Sequence, residues 1–147
     1  MCLLIMTINV KTLLFAAIVA IIAISCATRF NKGKAPVNNA LAAYSNVGVE
    51  EFMTLIADEN VQLLDVRTTE EYIEGHIASA TLVDVNENTF LEQAMAVLDA
   101  TRPVAVYCRS GRRSARAASL LTAHGMKVTN LDGGVIAWQD AGKTLVK

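Results

Sequence analysis

Pro103-Val104-Ala105-Val106-Tyr107 is an apolar run that puts no polar side chain on either side of the pleat. A strand of that kind is stable only where both its faces are covered. Such strands belong to parallel sheets, whose neighbours must be reached by crossover segments, usually helices. The chain from Val47 onward supplies them. Residues 49–58 are amphipathic at helical spacing, 61–66 (VQLLDV) and 81–85 are β-rich, and 90–98 read as a helix. Residues 114–124 are rich in Ala and Leu and stop at Gly125, 128–131 are strand-like, and 135–140 form a short helix. The alternation predicts an α/β domain, with a mostly parallel sheet flanked by helices on both faces and ligand sites beyond the C-terminal ends of the strands.

The remaining apolar character lies at the front. Of 147 residues 53% are hydrophobic, yet 21 of the first 26 are, which leaves 57 of the other 121, about 47% and an ordinary globular value. The unbroken stretch, residues 13–24, is short for a spanning helix, which needs roughly 20 apolar residues, and suits the apolar centre of a signal peptide preceded by Lys11. Met6 is an alternative start. Ala23-Ile24-Ser25-Cys26 resembles a bacterial lipobox, which implies that Cys26 is lipidated and becomes the mature N-terminus. A plainly cleaved signal and an uncleaved anchor starting near Leu3 are the alternatives, and all three export the domain. The expected location is therefore the bacterial cell envelope, facing the periplasm, as a membrane-anchored lipoprotein or a soluble periplasmic protein. Residues 27–46 mix Lys, Asn, Gly, Pro and Ser without periodicity and read as a flexible tether, so the folded domain is expected over 47–147.

With Cys2 in the leader and Cys26 at the lipid site, the domain keeps one cysteine, Cys108, and no internal disulfide partner. It comes directly after the buried strand, and Arg109-Ser110-Gly111-Arg112-Arg113-Ser114 leads straight into a helix. Successive amides of a tight loop, with the positive end of the helix behind them, form an anion nest. Such surroundings lower a thiol pKa from about 8.5 to between roughly 3.5 and 7.5. Gly111 lets the loop curl, and Ser114 is placed to cap the helix.

Charge is segregated in the same way. Residues 47–147 hold nine Lys+Arg against 14 Asp+Glu, yet Arg109, Arg112, Arg113 and Arg116 fall within eight residues that contain no acid. One cationic spot on an acidic body suits a small anion, whereas nucleic acid would want a broad basic surface. Arg116 is expected to point to water, and Arg112 is divided between water and ligand. Two His and one Cys in no shared spacing motif give no metal site, and no cofactor is implied.

Three segments carry a resemblance. Leu63-Leu64-Asp65-Val66-Arg67 with Glu70-Glu71-Tyr72 and Gly75-His76-Ile77, then Cys108 to Ser114, then Leu131-Asp132-Gly133-Gly134 with Trp138 and Gly142, are similar in order and spacing to the signatures of rhodanese-like domains. The resemblance implies a single-domain sulfurtransferase in which Cys108 takes sulfur from a small anionic donor such as thiosulfate. The resulting persulfide passes its sulfur to cyanide or a thiol, with a protein thiol as a further acceptor. It assigns the loop from Arg109 through Ser114 to substrate binding, with the Arg109 and Arg113 side chains orienting the dianion and Arg112 a candidate beside them. Asp65, Arg67 and Glu70 or Glu71 are expected to form a partly buried ion network near the loop. His76 is read as structural and bonded to backbone, His124 as a surface residue at a helix C-terminus, and Trp138 as core.

Two other classes remain beside this one. Cys-dependent phosphatases and arsenate reductases use the same thiolate and nest, but the phosphatases place five residues between Cys and Arg, where four separate Cys108 from Arg113 and Ser114 stands where their Arg would. Rhodanese-like binding modules that do no chemistry usually lack the Cys, which this chain keeps.

Overall fold

The apolar run at residues 103–107 forms the middle strand of the sheet. The computed structural model describes residues 44–147; the leader, Cys26 and all but the end of the tether lie outside them. In chain order the elements are β1 (Ser45–Val47), α1 (Val49–Ile56), β2 (Gln62–Asp65), α2 (Thr69–Glu74), β3 (Thr81–Leu82), α3 (Phe90–Val97), β4 (Val104–Tyr107), α4 (Arg112–Ala123), β5 (Val128–Leu131) and α5 (Gly134–Asp140). The five strands form one sheet in the order β1-β5-β4-β2-β3, every neighbouring pair parallel.

Because side chains alternate across the pleat, β4 feeds two cores. Val104 and Val106 pack with Leu64, Phe90, Ala94, Ala117, Ala118 and Leu121, the face covered by α3 and α4. Ala105 and Tyr107 pack with Phe52, Leu63, Val135 and Trp138, the face covered by α1 and α5. Continuing the alternation sends Cys108 into the first core. Each residue of β4 is fully buried, which is why that strand carries no polar residue.

Three differences from the sequence reading have physical causes. The sheet begins at Ser45, inside the expected tether, because Ser45 and Asn46 pair with Thr129 and Asn130 through the backbone, and Asn130 Nδ2 donates to Asn46 Oδ1 at 2.7 Å. Polar side chains hide this edge strand. Regular pairing in β3 ends at Leu82 rather than at residue 85, yet Val83 N still donates to Asp65 O at 2.9 Å and both Val83 and Val85 are buried. The helix α2 escapes the periodicity because it has only six residues. It does carry a local signal, since Thr68 and Glu71 form a capping box in which each side chain meets the other's amide.

α5 reaches the sheet through Gly133 and Gly134, both at positive φ (72° and 57°). A Cβ on Gly134 would meet Cys108 O and the Arg109 carbonyl carbon, 2.3 and 2.7 Å away. Both lie inside van der Waals contact and neither belongs to a side chain that could swing aside. Gly134→Ala is therefore expected to destabilise the domain by more than about 2 kcal/mol and to displace the Cys108 loop. Denaturant unfolding together with the rate of Cys108 alkylation measures both effects.

Candidate active site

The strand β4 delivers Cys108 to the sheet's C-terminal edge, and the loop beyond it turns a buried thiol into an anion site. Gly111, at φ 85° and serving as N-cap of α4, reverses the chain so that the first amides of the helix face back toward the sulfur. α5 holds the loop from the other side: Val135 N donates to Cys108 O at 2.9 Å and Ile136 N to Arg109 O at 3.1 Å. The N–H groups of Ser110, Arg113 and Ser114 donate to Cys108 Sγ.

Ser114 is not the helix cap that the sequence suggests. It lies in the first turn of α4, fully buried, with Oγ 3.3 Å from Cys108 Sγ and 3.0 Å from Gly111 O. One hydroxyl has one proton, and against a thiolate the charge-assisted bond to sulfur is the stronger. Cys108 is 1% exposed. Burial pushes its pKa up, but the Ser114 hydroxyl and the amides of Ser114, Ser110 and Arg113 together hold it below the ordinary thiol value.

The arginines divide by role. Arg109 and Arg112 are exposed beside the exposed Ser110. Arg113, expected to orient a bound anion, is committed elsewhere: Nη1 and Nη2 donate to Glu71 Oε2 and Oε1 at 2.8 and 2.7 Å. Its charge is thus paired with Glu71, and it meets the sulfur through its backbone amide and, more weakly, through its guanidinium. Arg116 is exposed, as the sequence suggests, and in addition donates to Val85 O at 3.1 Å, tying α4 to the segment after β3.

The expected network of Asp65, Arg67 and Glu71 is two separate pairs. Arg67 binds the fully buried Asp65 through Nε and Nη2, the latter at 2.6 Å, and Nη2 also donates to Gly75 O at 2.8 Å. Burial disfavours the Arg67 charge, and Asp65 more than restores it. The guanidinium carbon lies 5.6 Å from the centre of the Tyr107 ring, whose hydroxyl accepts from Ile77 N at 3.0 Å; burial and the Asp65 carboxylate push that hydroxyl's pKa up. Glu71 belongs to the other pair, with Arg113. Glu70 is exposed, and its carboxyl is held below the ordinary value by local hydrogen bonds at the start of α2.

His76 stacks on Tyr72 with centroids 3.7 Å apart, places Nδ1 3.1 Å from Tyr72 O, and pairs through its backbone with Val146. His124 is exposed, its Nδ1 2.9 Å from Leu120 O at the end of α4. Trp138 is buried and donates to Thr144 O. Among the described residues no three His, Cys, Asp or Glu side chains gather as a metal site would need.

Cavities flank the loop, one of about 370 Å³ between Ser110, Gly111 and Asn130 and two on the side of Arg109. One, of about 410 Å³, is lined by Arg109, Ser110, Arg112, Arg113 and Ile136. The other, of about 450 Å³, extends from Arg109 and Ile136 toward Arg67 and Glu74.

Comparison with known proteins gives this geometry relatives. The family model described as "Rhodanese-like domain" matches residues 48–141. Thiosulfate sulfurtransferase 18 of Arabidopsis thaliana is 36% identical over 107 residues, covering 65% of this chain and 78% of the relative. Thiosulfate sulfurtransferase GlpE of Shewanella oneidensis is 33% identical over 104 residues, covering 69% and 98%. Among solved structures, a rhodanese-related protein from Thermoplasma volcanium superposes with a TM-score of 0.62 at 28% identity, covering 70% of this chain and 98% of its own.

Two measurements probe the site. Ser114→Ala removes a donor to the thiolate, so the pH midpoint of Cys108 alkylation should rise relative to wild type; an unmoved midpoint would leave the amides alone as its cause. Glu71→Gln keeps the capping capacity at α2 and removes the charge facing Arg113. Arg113 lowers the folded-state pKa of Glu71 below 4.5. The pair's contribution, about 1 kcal/mol, is therefore complete above the ordinary glutamate value and lost as pH falls through the lower folded value. The stability gap between wild type and Glu71→Gln in urea unfolding should be present at pH 7 and close in acid.

Proposed function

The chain belongs to the rhodanese-like domain family, and from that premise we propose that it is a sulfurtransferase moving sulfane sulfur from a donor such as thiosulfate to a thiophilic acceptor through a persulfide on Cys108. The observation that carries this reading is the set of donors on Cys108 Sγ, the Ser114 hydroxyl and three amides, which lower the pKa of the thiol and favour its thiolate in a buried site.

The chemistry is a double displacement. Cys108 thiolate attacks the outer sulfur of thiosulfate; a sulfur–sulfur bond forms to Cys108, and sulfite leaves with the electron pair of the bond that breaks. Cyanide or a thiolate then attacks the outer sulfur of the persulfide, and the Cys108 thiolate departs. Negative charge stays on sulfur near Cys108 in both steps, so one fixed set of N–H and O–H donors serves both. Because the thiolate is formed in advance, no general base is required, which agrees with the backbone-bonded His76. Arg109 and Arg112, exposed over the loop cavity, supply the unpaired charge that draws the donor dianion. No cofactor takes part.

A phosphatase reading is disfavoured by the loop itself, where only four residues separate Cys108 from Arg113 and the buried Ser114 stands in the place of the phosphatase arginine. In the proposed reading the domain is exported on a membrane-anchored lipoprotein, supported by the apolar leader and the Ala23-Ile24-Ser25-Cys26 sequence. Among the described residues no helix is long and apolar enough to cross a membrane. Metabolic labelling with palmitate should be lost in Cys26→Ala.

The central test is direct. Purified protein given thiosulfate and cyanide should release thiocyanate, and mass spectrometry should find Cys108 one sulfur heavier. Cys108→Ser should lose at least about 10³-fold in rate and carry no adduct. A wild-type protein without the adduct, or a serine variant of equal rate, rejects the reading.

A further inference from the structure

The cavity of about 370 Å³ lies where β1 and β5 meet the start of α4, and the proposed transfer chemistry does not use it. Asn130, 2% exposed, lines it. Its Nδ2 donates to Asn46 Oδ1 at 2.7 Å and reaches Gly111 O at 3.5 Å, while its buried Oδ1 accepts from nothing among the described residues. Turning both amides over would keep the bond between them, lose the contact to Gly111 and orphan a buried NH2 instead. A buried acceptor without a donor costs stability. On a cavity wall, a ligand that brings an N–H removes that cost.

The charges around this acceptor narrow the choice of ligand. Asp132, exposed, accepts from Gly133 N through Oδ1 and is in no ion pair among the described residues. Arg112, exposed, is likewise in no ion pair among them. Tyr44 and Ala115 supply apolar surface. A simple anion gains from Arg112 what it loses to Asp132, and a simple cation does the reverse. A molecule with an ammonium and a carboxylate gains from both, and its ammonium has three protons to give.

We propose that this cavity binds a free amino acid with a small side chain. Its ammonium donates to Asn130 Oδ1 and pairs with Asp132, its carboxylate meets Arg112 and the Ser110 hydroxyl, and Tyr44 and Ala115 cover its side chain. Arg112 and Ser110 also line the cavity over the Cys108 loop. An amino acid that holds Arg112 therefore withdraws one of the two unpaired cations from the approach to the sulfur. Occupancy slows the reaction of Cys108 with anions and spares its reaction with neutral reagents. The site stands whether or not the domain transfers sulfur.

Titration calorimetry of the full chain with L-alanine, N-acetyl-L-alanine and L-alaninamide tests the binding, and alkylation of Cys108 by iodoacetate and by iodoacetamide tests the link to the sulfur. Alanine should bind saturably and about tenfold more tightly than the N-acetyl form, which lacks the charge-assisted hydrogen bonds of the ammonium. It should bind about threefold more tightly than the amide, which lacks a partly exposed ion pair. In Asp132→Asn, which keeps an acceptor for Gly133 N, the first ratio should shrink while the second persists. Saturating alanine should slow iodoacetate about threefold and leave iodoacetamide unchanged, and in Arg112→Gln it should slow neither. No saturable binding of alanine, or equal affinity for all three compounds, overturns the site and leaves a water on Asn130 Oδ1. Equal slowing of both alkylating agents overturns the link through Arg112.

Discussion

A thiolate taken out of water must find its solvation in the protein. Cys108 is almost completely buried, which by itself would keep it protonated and inert. The local architecture answers that constraint. β4 is covered on both faces, so the sulfur arrives at a fixed position. Gly111 turns the chain so that the first amides of α4 converge on it, and α5 holds the loop by donating to the carbonyls of Cys108 and Arg109. The sheet supplies rigidity and two helix N-termini supply polarity. The Ser114 hydroxyl adds the one donor that can turn with the charge state of the sulfur.

The two ion pairs work on a different scale. Asp65 and Arg67 neutralise one another in the interior between β2 and α2, and losing either partner would leave a buried charge, at a cost of roughly 3–5 kcal/mol. Glu71 and Arg113 are a quarter exposed and bind more weakly, but they join α2 to the first turn of α4, where two of the sulfur's amide donors lie. The sulfur's nearest donors are the Ser114 hydroxyl and the amides, with the Arg113 guanidinium shared between Glu71 and the sulfur. Other side-chain cations are left for the approach of substrate, where Arg109 and Arg112 remain unpaired.

Much of this is legible in the sequence because burial writes itself into composition. A strand with both faces covered excludes polar residues that have no buried partner, so β4 can be read from five letters, and the lone cysteine of the domain after it gives the site. Side-chain pairing leaves no such mark. Nothing in the spacing of Arg113 tells that Glu71, 42 residues earlier, holds it, nor that Arg116 reaches the Val85 carbonyl. Ser114 looks like a cap because the sequence places it near a helix start, whereas backbone curvature at Gly111 begins the helix two residues earlier. The edge strand β1 is hidden for the opposite reason. It is held by main-chain bonds and an amide pair, and main-chain bonds are the same for every sequence.

The grip of α5 on the loop has a consequence in time. Val135 and Ile136 stand more than 25 residues after the cysteine whose loop they secure. Until that later segment has folded, Cys108 lacks the loop geometry that lowers its pKa. Its nucleophilicity is acquired only when nearly the whole domain has closed around it, so the fold withholds the reactive group until there is a finished protein to use it.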